Sequence, residues 1–180
     1  MTTTSGTVSS RPASASVLRS VLALIAFLAV SFAVAALGSL ATIQNVNGWY
    51  ADADKASWNP PDGVFGPVWT VLYTLMSVAA WQVWLRRGRE VGARRALTAY
   101  VAQLALNAIW TPVFFGLYPV IGVSALWIAF VIILALDAMV LVTMVRFWPV
   151  RRLAAVLLIP YWAWVLYATT LNAALAAMNP

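Results

Sequence analysis

The chain has 180 residues, 63% of them hydrophobic and 9% charged, with a formal net charge of +6. A soluble domain carries about 25% charged residues, so lipid rather than water must solvate most of this surface. Cysteine and histidine are both missing from the sequence, which excludes thiolate nucleophiles, Ser-His-Asp triads, zinc-finger sites and His-ligated haem.

Residues 1–16 are rich in Ser, Thr and Ala and read as a disordered tail. Two arginines before residue 20 are too few for a transit peptide, and the apolar run after Arg19 outlasts a signal-peptide core. Uncharged stretches then cover 20–51, 63–85, 96–136 and 153–180. Each exceeds the roughly 20 residues needed to cross a bilayer. The third must hold two helices, because Gly116-Leu117-Tyr118-Pro119 and Gly122 mark a turn in its middle. The expected fold is an all-α integral membrane protein, a five-transmembrane-helix bundle with helices at 17–40, 64–85, 94–115, 120–145 and 153–178. The bundle makes one domain over 17–180. The connection at 42–62 is long beside the usual span of about 2–8 residues between bundle helices, and it carries Trp49, Tyr50 and Trp58. It reads as a lid stiffened by Pro60-Pro61. Pro67 suits the first turn of the second helix, whereas Pro112 and Pro160 fall inside helices and are expected to kink them.

Charge gives the orientation. Of the eleven basic residues, ten are arginines that alternate helices bring to one side: Arg11 and Arg19; Arg86, Arg87, Arg89, Arg94 and Arg95; Arg146, Arg151 and Arg152. The other side holds Lys55 with Asp52, Asp54 and Asp62. The positive-inside rule then puts the N-terminus in the cytoplasm and the lid outside. It also explains the basic charge without any nucleic acid. Long apolar helices suit a bacterial inner, or cytoplasmic, membrane.

Helical spacing aligns chemistry on three faces. Phe65, Trp69, Leu72, Tyr73 and Met76 share one face of the second helix. Gln103, Asn107, Trp110 and Phe114 share one of the third, and Tyr161, Trp164, Ala168 and Asn172 one of the fifth. Each mixes flat rings with an amide or a small residue, the make-up of a small-molecule pocket. Packing between helices would use the same residues. Trp81, Trp84 and Trp148 lie beside arginines and read as interfacial anchors. Asn107 needs a hydrogen-bond partner at lipid depth, either a neighbouring helix or a ligand. Asp137 is the acid well inside a span; it is nine residues from Arg146 and expected to reach water or an arginine. Ser31, Ala35 and Ser39, and Ala29 with Ala33, form small-residue ridges that serve either a dimer or internal packing.

Three motifs in order carry a resemblance. Trp49-Tyr50 precedes Lys55, Trp58, Pro60-Pro61, Phe65, Trp69 and Leu72-Tyr73; Leu106-Asn107-Ala108-Ile109-Trp110-Thr111-Pro112 precedes Phe114-Phe115-Gly116; Pro160-Tyr161-Trp162-Ala163-Trp164 precedes Ala168-Thr169-Thr170-Leu171-Asn172. The chain from the first helix onward resembles the tryptophan-rich sensory protein/translocator protein family, also known as the peripheral-type benzodiazepine receptor family. The resemblance implies a five-helix bundle, often homodimeric, that binds porphyrins such as protoporphyrin IX, with a part in tetrapyrrole regulation and stress response. Sterols and benzodiazepine-type compounds are ligands of some members. The expected function is a porphyrin receptor or sensor that requires no cofactor. The alternatives are light- and oxygen-dependent porphyrin degradation and porphyrin or sterol transport. Trp69 and Trp164 match the family's tryptophans implicated in porphyrin chemistry and would be catalytic under the degradative alternative. Tyr50, Tyr73, Asn107, Trp110 and Ala168 match other pocket positions, and Phe65 joins them on the face of the second helix. Two departures stand out: Lys55 is followed by Ala56-Ser57 where relatives often have Lys-Pro, and no Lys or Arg follows Tyr167, so the sterol-type pattern is absent.

Overall fold

The computed structural model describes residues 13–180, with side chains from residue 16; the first twelve residues, with Arg11 and most of the expected tail, lie outside the described residues. Five stretches in the described residues are long and apolar enough to cross a membrane: Ser16–Val46, Asp62–Trp84, Ala93–Gly116, Val123–Phe147 and Arg152–Met178. They match the five expected helices one for one.

Helix α1 (Ala13–Val46) is longer than expected at both ends. Its C-terminal extension past Leu40 holds because polar side chains bond back to the helix instead of breaking it. Thr42 Oγ1 donates to the Gly38 carbonyl and Asn45 Nδ2 to that of Ala41. The lid is correspondingly shorter and carries a helical turn, α2 (Trp49–Asp52). A 3-10 turn (Asp62–Val64) leads into α3 (Phe65–Trp84), with Pro67 in its first turn, where a missing N–H costs nothing.

Helix α4 (Ala93–Thr111) passes at Pro112 into one wide π-helical turn (Pro112–Gly116), which takes the place of a simple kink. After the short α5 (Tyr118–Ile121), Gly122 turns the chain at a φ of 62°, a conformation that favours glycine. Helix α6 (Val123–Phe147) follows. The fifth span is broken rather than kinked. α7 (Arg152–Val156) ends before Leu157–Leu158, and Pro160 sits in the first turn of α8 (Ile159–Met178) instead of in a helix interior.

Around the bundle the order is α3, α1, α4, α6, α8, with α8 returning towards α3. Alanine makes close approach possible: Ala79, Ala80, Ala93, Ala96, Ala125, Ala129 and Ala154 are fully buried. Gly38 of α1 meets Thr111 so closely that a Cβ there would lie 3.3 Å from Thr111 Cγ2. A polar clasp joins three helices. Ser77 Oγ lies 2.8 Å from Ser31 Oγ, which lies 3.0 Å from the Tyr100 hydroxyl. Ser31 therefore faces inward, whereas Ala29 and Ala33 face outward. Trp81, expected to anchor at the interface, donates its indole N–H to the Ser20 carbonyl and pins α1 to α3. Trp84 lies under the Arg87 guanidinium and Trp148 is half exposed beside Arg152.

Candidate functional site

α3 and α8 meet mainly through rings, their backbones approaching at few points. Phe65 packs edge-on against Trp164 at 5.8 Å, and Trp69 against Tyr161 at 6.3 Å. Trp69 also leans on Tyr73 at 5.5 Å. Phe65, Trp69 and Trp164 are half-buried, as rings at the edge of an opening would be. Behind them runs a buried chain of hydrogen bonds across three helices. The Tyr73 hydroxyl donates to Asn107 Oδ1 (2.6 Å), Asn107 Nδ2 donates to the Tyr161 hydroxyl (3.1 Å), and that hydroxyl donates to Gln103 Oε1 (2.8 Å). Asn107 thus finds its partners within the protein. Two donors at this level remain buried without a partner: Gln103 Nε2 and the Trp164 indole N–H. Trp162 Nε1 is likewise unpartnered. Ala168 is 5% exposed, one helical turn from Trp164 and from Asn172.

The predicted positions fall into two linked groups. Trp69, Tyr73 and Asn107 come together with Tyr161, and the Phe65–Trp164 pair lies about one helical turn along the same two helices. Tyr50 and Trp110 belong to a neighbouring cluster through Phe114, which lies 6.3 Å from Tyr50 and 5.6 Å from Trp110. Trp110 turns its N–H to Asn172 Oδ1 (3.2 Å), and Asn172 donates on to the Leu126 carbonyl (2.9 Å), tying α4, α8 and α6 together. Trp110 is therefore a structural strut as well as a ring of this cluster.

The lid closes over this second cluster. The π-turn leaves carbonyls without helical donors, and Trp49 caps one by donating to the Phe115 carbonyl (3.0 Å) while stacking on Tyr118 at 3.9 Å. Tyr50 is buried against Phe115 at 5.3 Å, its hydroxyl 3.4 Å from Asn59 Oδ1, with Lys55 Nζ 4.7 Å from its ring centre. Burial pushes the Tyr50 phenol above its ordinary value and Asp62 adds to the push; the Asn59 hydrogen bond opposes both. Residues to which sequence reasoning gave no site role latch the lid to α8. Tyr167 donates to the Trp58 carbonyl (2.6 Å), and the Trp58 indole to Thr170 Oγ1 (3.3 Å). The Asn179 amide pairs with the Asp54 backbone through two 3.0 Å bonds. A tyrosine midway along a helix and an asparagine just past its end carry no signal for such long-range pairing.

Asp137 reaches neither water-exposed loops nor Arg146, whose guanidinium lies 3.5 Å from the Arg95 carbonyl. It is 8% exposed, with Oδ2 2.7 Å from Thr169 Oγ1 and Oδ1 without a partner. The Thr169 hydroxyl is also 2.9 Å from the Val165 carbonyl. Asp137→Asn keeps an acceptor for Thr169 and removes the ionisable group, so it should hold stability within about 1 kcal/mol of the parent. Thr169→Val, which strands both carboxyl oxygens, should cost about 1–3 kcal/mol. Thermal melting of both variants in detergent checks the pair.

Fold and site together define a polytopic helical membrane protein with an aromatic, amide-bearing centre beneath a latched loop. A profile of the TspO/MBR family matches residues 26–178, and the chain belongs to that family. Its relatives include the tryptophan-rich protein TspO of Archaeoglobus fulgidus, 36% identical over 164 residues, covering 91% of this chain and 98% of that protein. The tryptophan-rich sensory protein of Cereibacter sphaeroides is 39% identical over 146 residues, 81% of this chain and 84% of its own. The translocator protein of Homo sapiens is 41% identical over 125 residues, 69% of this chain and 70% of its own.

Proposed function

We propose that this integral multi-pass membrane protein is a receptor and sensor for porphyrins of the protoporphyrin IX type. The observation that carries the reading is the α3–α8 seam. Two half-buried tryptophans flank it, and one of them, Trp164, has a buried N–H without a partner. A macrocycle between these rings would gain about 0.5–1.5 kcal/mol per stacking contact beyond its area burial. A ligand acceptor would satisfy the Trp164 donor. The names of the relatives speak of sensing and of translocation; the closed lid and the ring-lined seam favour binding over passage. The arginine-bearing end would face the cytoplasm, and a second copy of the chain remains a partner expected from the family.

Titrating the detergent-solubilised protein with protoporphyrin IX and following tryptophan fluorescence tests the reading. Saturable quenching in the micromolar range is expected. Ala168→Phe, which fills space one turn from Trp164, should weaken it at least tenfold while the melting temperature shows the bundle still folded. Unsaturable quenching, or quenching unchanged by Ala168→Phe, would move the site elsewhere. The degradative reading draws on the same two tryptophans. Under light and oxygen, porphyrin absorbance should then fall faster with the parent protein than with Trp69→Phe or Trp164→Phe. Equal loss in protein-free buffer would reject it.

A further inference from the structure

At the arginine-bearing end, far in sequence from the lid, the C-terminus of α3 and the turn between α6 and α7 enclose an open groove of about 500 Å³. Arg86, Arg151, Arg152, Trp148 and Leu153 line it, and its lining contains no acidic residue. Topology explains why arginines collect on this side. It does not explain why three of them, from two separate connections, converge on one concavity.

The guanidiniums are held but not spent. Arg151 donates Nε–H to Gln82 Oε1 (3.2 Å), which fixes its plane and leaves its terminal N–H groups over. Arg152 lies 5.7 Å from the Trp148 ring centre. Among the described residues neither Arg86 nor Arg152 has a hydrogen-bond partner for its guanidinium. Planar forks of this kind match phosphate oxygens two at a time. The surroundings distinguish the source of such a phosphate. Trp148 is 51% exposed, the aromatic usually found at headgroup depth. Leu153, Val156 and Ile159 follow at three-residue steps, each 44–49% exposed. That strip runs from the groove into the lipid-depth part of the fifth span. A free anion has no use for it; an acyl chain does.

We infer that this groove is a binding site for the headgroup of an anionic phospholipid, with Arg86, Arg151 and Arg152 on the phosphate and the Leu153–Val156–Ile159 strip along the acyl chain. Each arginine near a charged membrane surface contributes about fivefold in affinity, so the three together should favour an anionic over a zwitterionic lipid by about a hundredfold.

Native mass spectrometry of the full chain, released from detergent with added phosphatidylglycerol or phosphatidylcholine, tests this. The parent should retain phosphatidylglycerol preferentially. The triple variant Arg86→Gln, Arg151→Gln, Arg152→Gln should lose that preference. A matched variant, Arg89→Gln, Arg94→Gln, Arg95→Gln, removes the same charge from the same end outside the groove and should keep it. Both are first checked for parental melting; if the triple variant has unfolded, Arg86→Gln with Arg152→Gln is used and should lose at least tenfold. Equal retention of both lipids by the parent would overturn the site, as would equal loss in both variants. Displacement of phosphatidylglycerol by millimolar inorganic phosphate would reassign it to a free anion and overturn the lipid assignment.

Discussion

Tyr161→Phe should destabilise the bundle by about 2–4 kcal/mol, because removing one hydroxyl strands two buried amides at once. Tyr161 is completely buried; its hydroxyl accepts from Asn107 and donates to Gln103. Both amides are shut off from the surface, and Gln103 Nε2 is already unpartnered. Hydrogen bonds between membrane helices average only about 0.6 kcal/mol when the freed partners can re-pair. The larger figure is expected here because both amides are 1% exposed. Tyr73→Phe removes one bond from the same chain and should cost about half as much. The double variant should fall short of the sum, since the two changes share Asn107. Equilibrium unfolding in mixed micelles measures all three. A loss below about 0.5 kcal/mol for Tyr161→Phe would mean that the amides find each other, and that the chain is not what holds α3, α4 and α8 in register.

Releasing the lid should have the second large effect. Tyr167→Phe with Asn179→Ala removes three hydrogen bonds that tie the lid to α8 and to the residue just past its end, which are 2.6, 3.0 and 3.0 Å long. At about 0.5–1.5 kcal/mol net each, opening becomes easier by roughly one to three orders of magnitude. Hydrogen exchange of the amides in 53–59 should accelerate accordingly, while exchange in α4 and α6 stays slow. If the loop gates the proposed porphyrin site, association and dissociation should both quicken and the equilibrium constant should change less than either. Unchanged exchange in the loop would show that Trp49 and Tyr50, seated on Phe115 and Tyr118, hold it closed without the latch.

Much of this architecture is legible in the chain. Four uncharged stretches of at least bilayer length, the longest divided by the turn at Gly116–Gly122, specify five spans. The inward faces are legible too, because Gln103, Asn107, Trp110 and Phe114 follow the helical repeat and all four are buried. Helix ends are less so. Thr42 and Asn45 prolong α1 through side-chain bonds to the backbone, the kind of local competition that often ends a helix instead. Pro160 reads as a kink inside one long helix, because nothing in the apolar run around it marks the break at Leu157–Leu158 that places it in a first turn. What each polar group bonds to was out of reach. Asn107 pairs with two tyrosines 34 and 54 residues away, and Asp137 with a threonine 32 residues away. No periodicity encodes such pairings. The convergence of Arg86 with Arg151 and Arg152 was hidden for the same reason: charge counting assigns a side of the membrane, not a place on it.

The sparse burial of α1 bears on assembly. Much of this helix presents apolar side chains outward, among them Leu18, Leu22, Ile25, Val30, Leu37 and Ile43. Among its specific attachments are Ser31 to Ser77 and Tyr100, and the Ser20 carbonyl to Trp81. All three partners are made later on the ribosome. α1 therefore precedes into the bilayer the two helices, α3 and α4, that hold it, and its uniform hydrophobicity lets it stay there before they arrive.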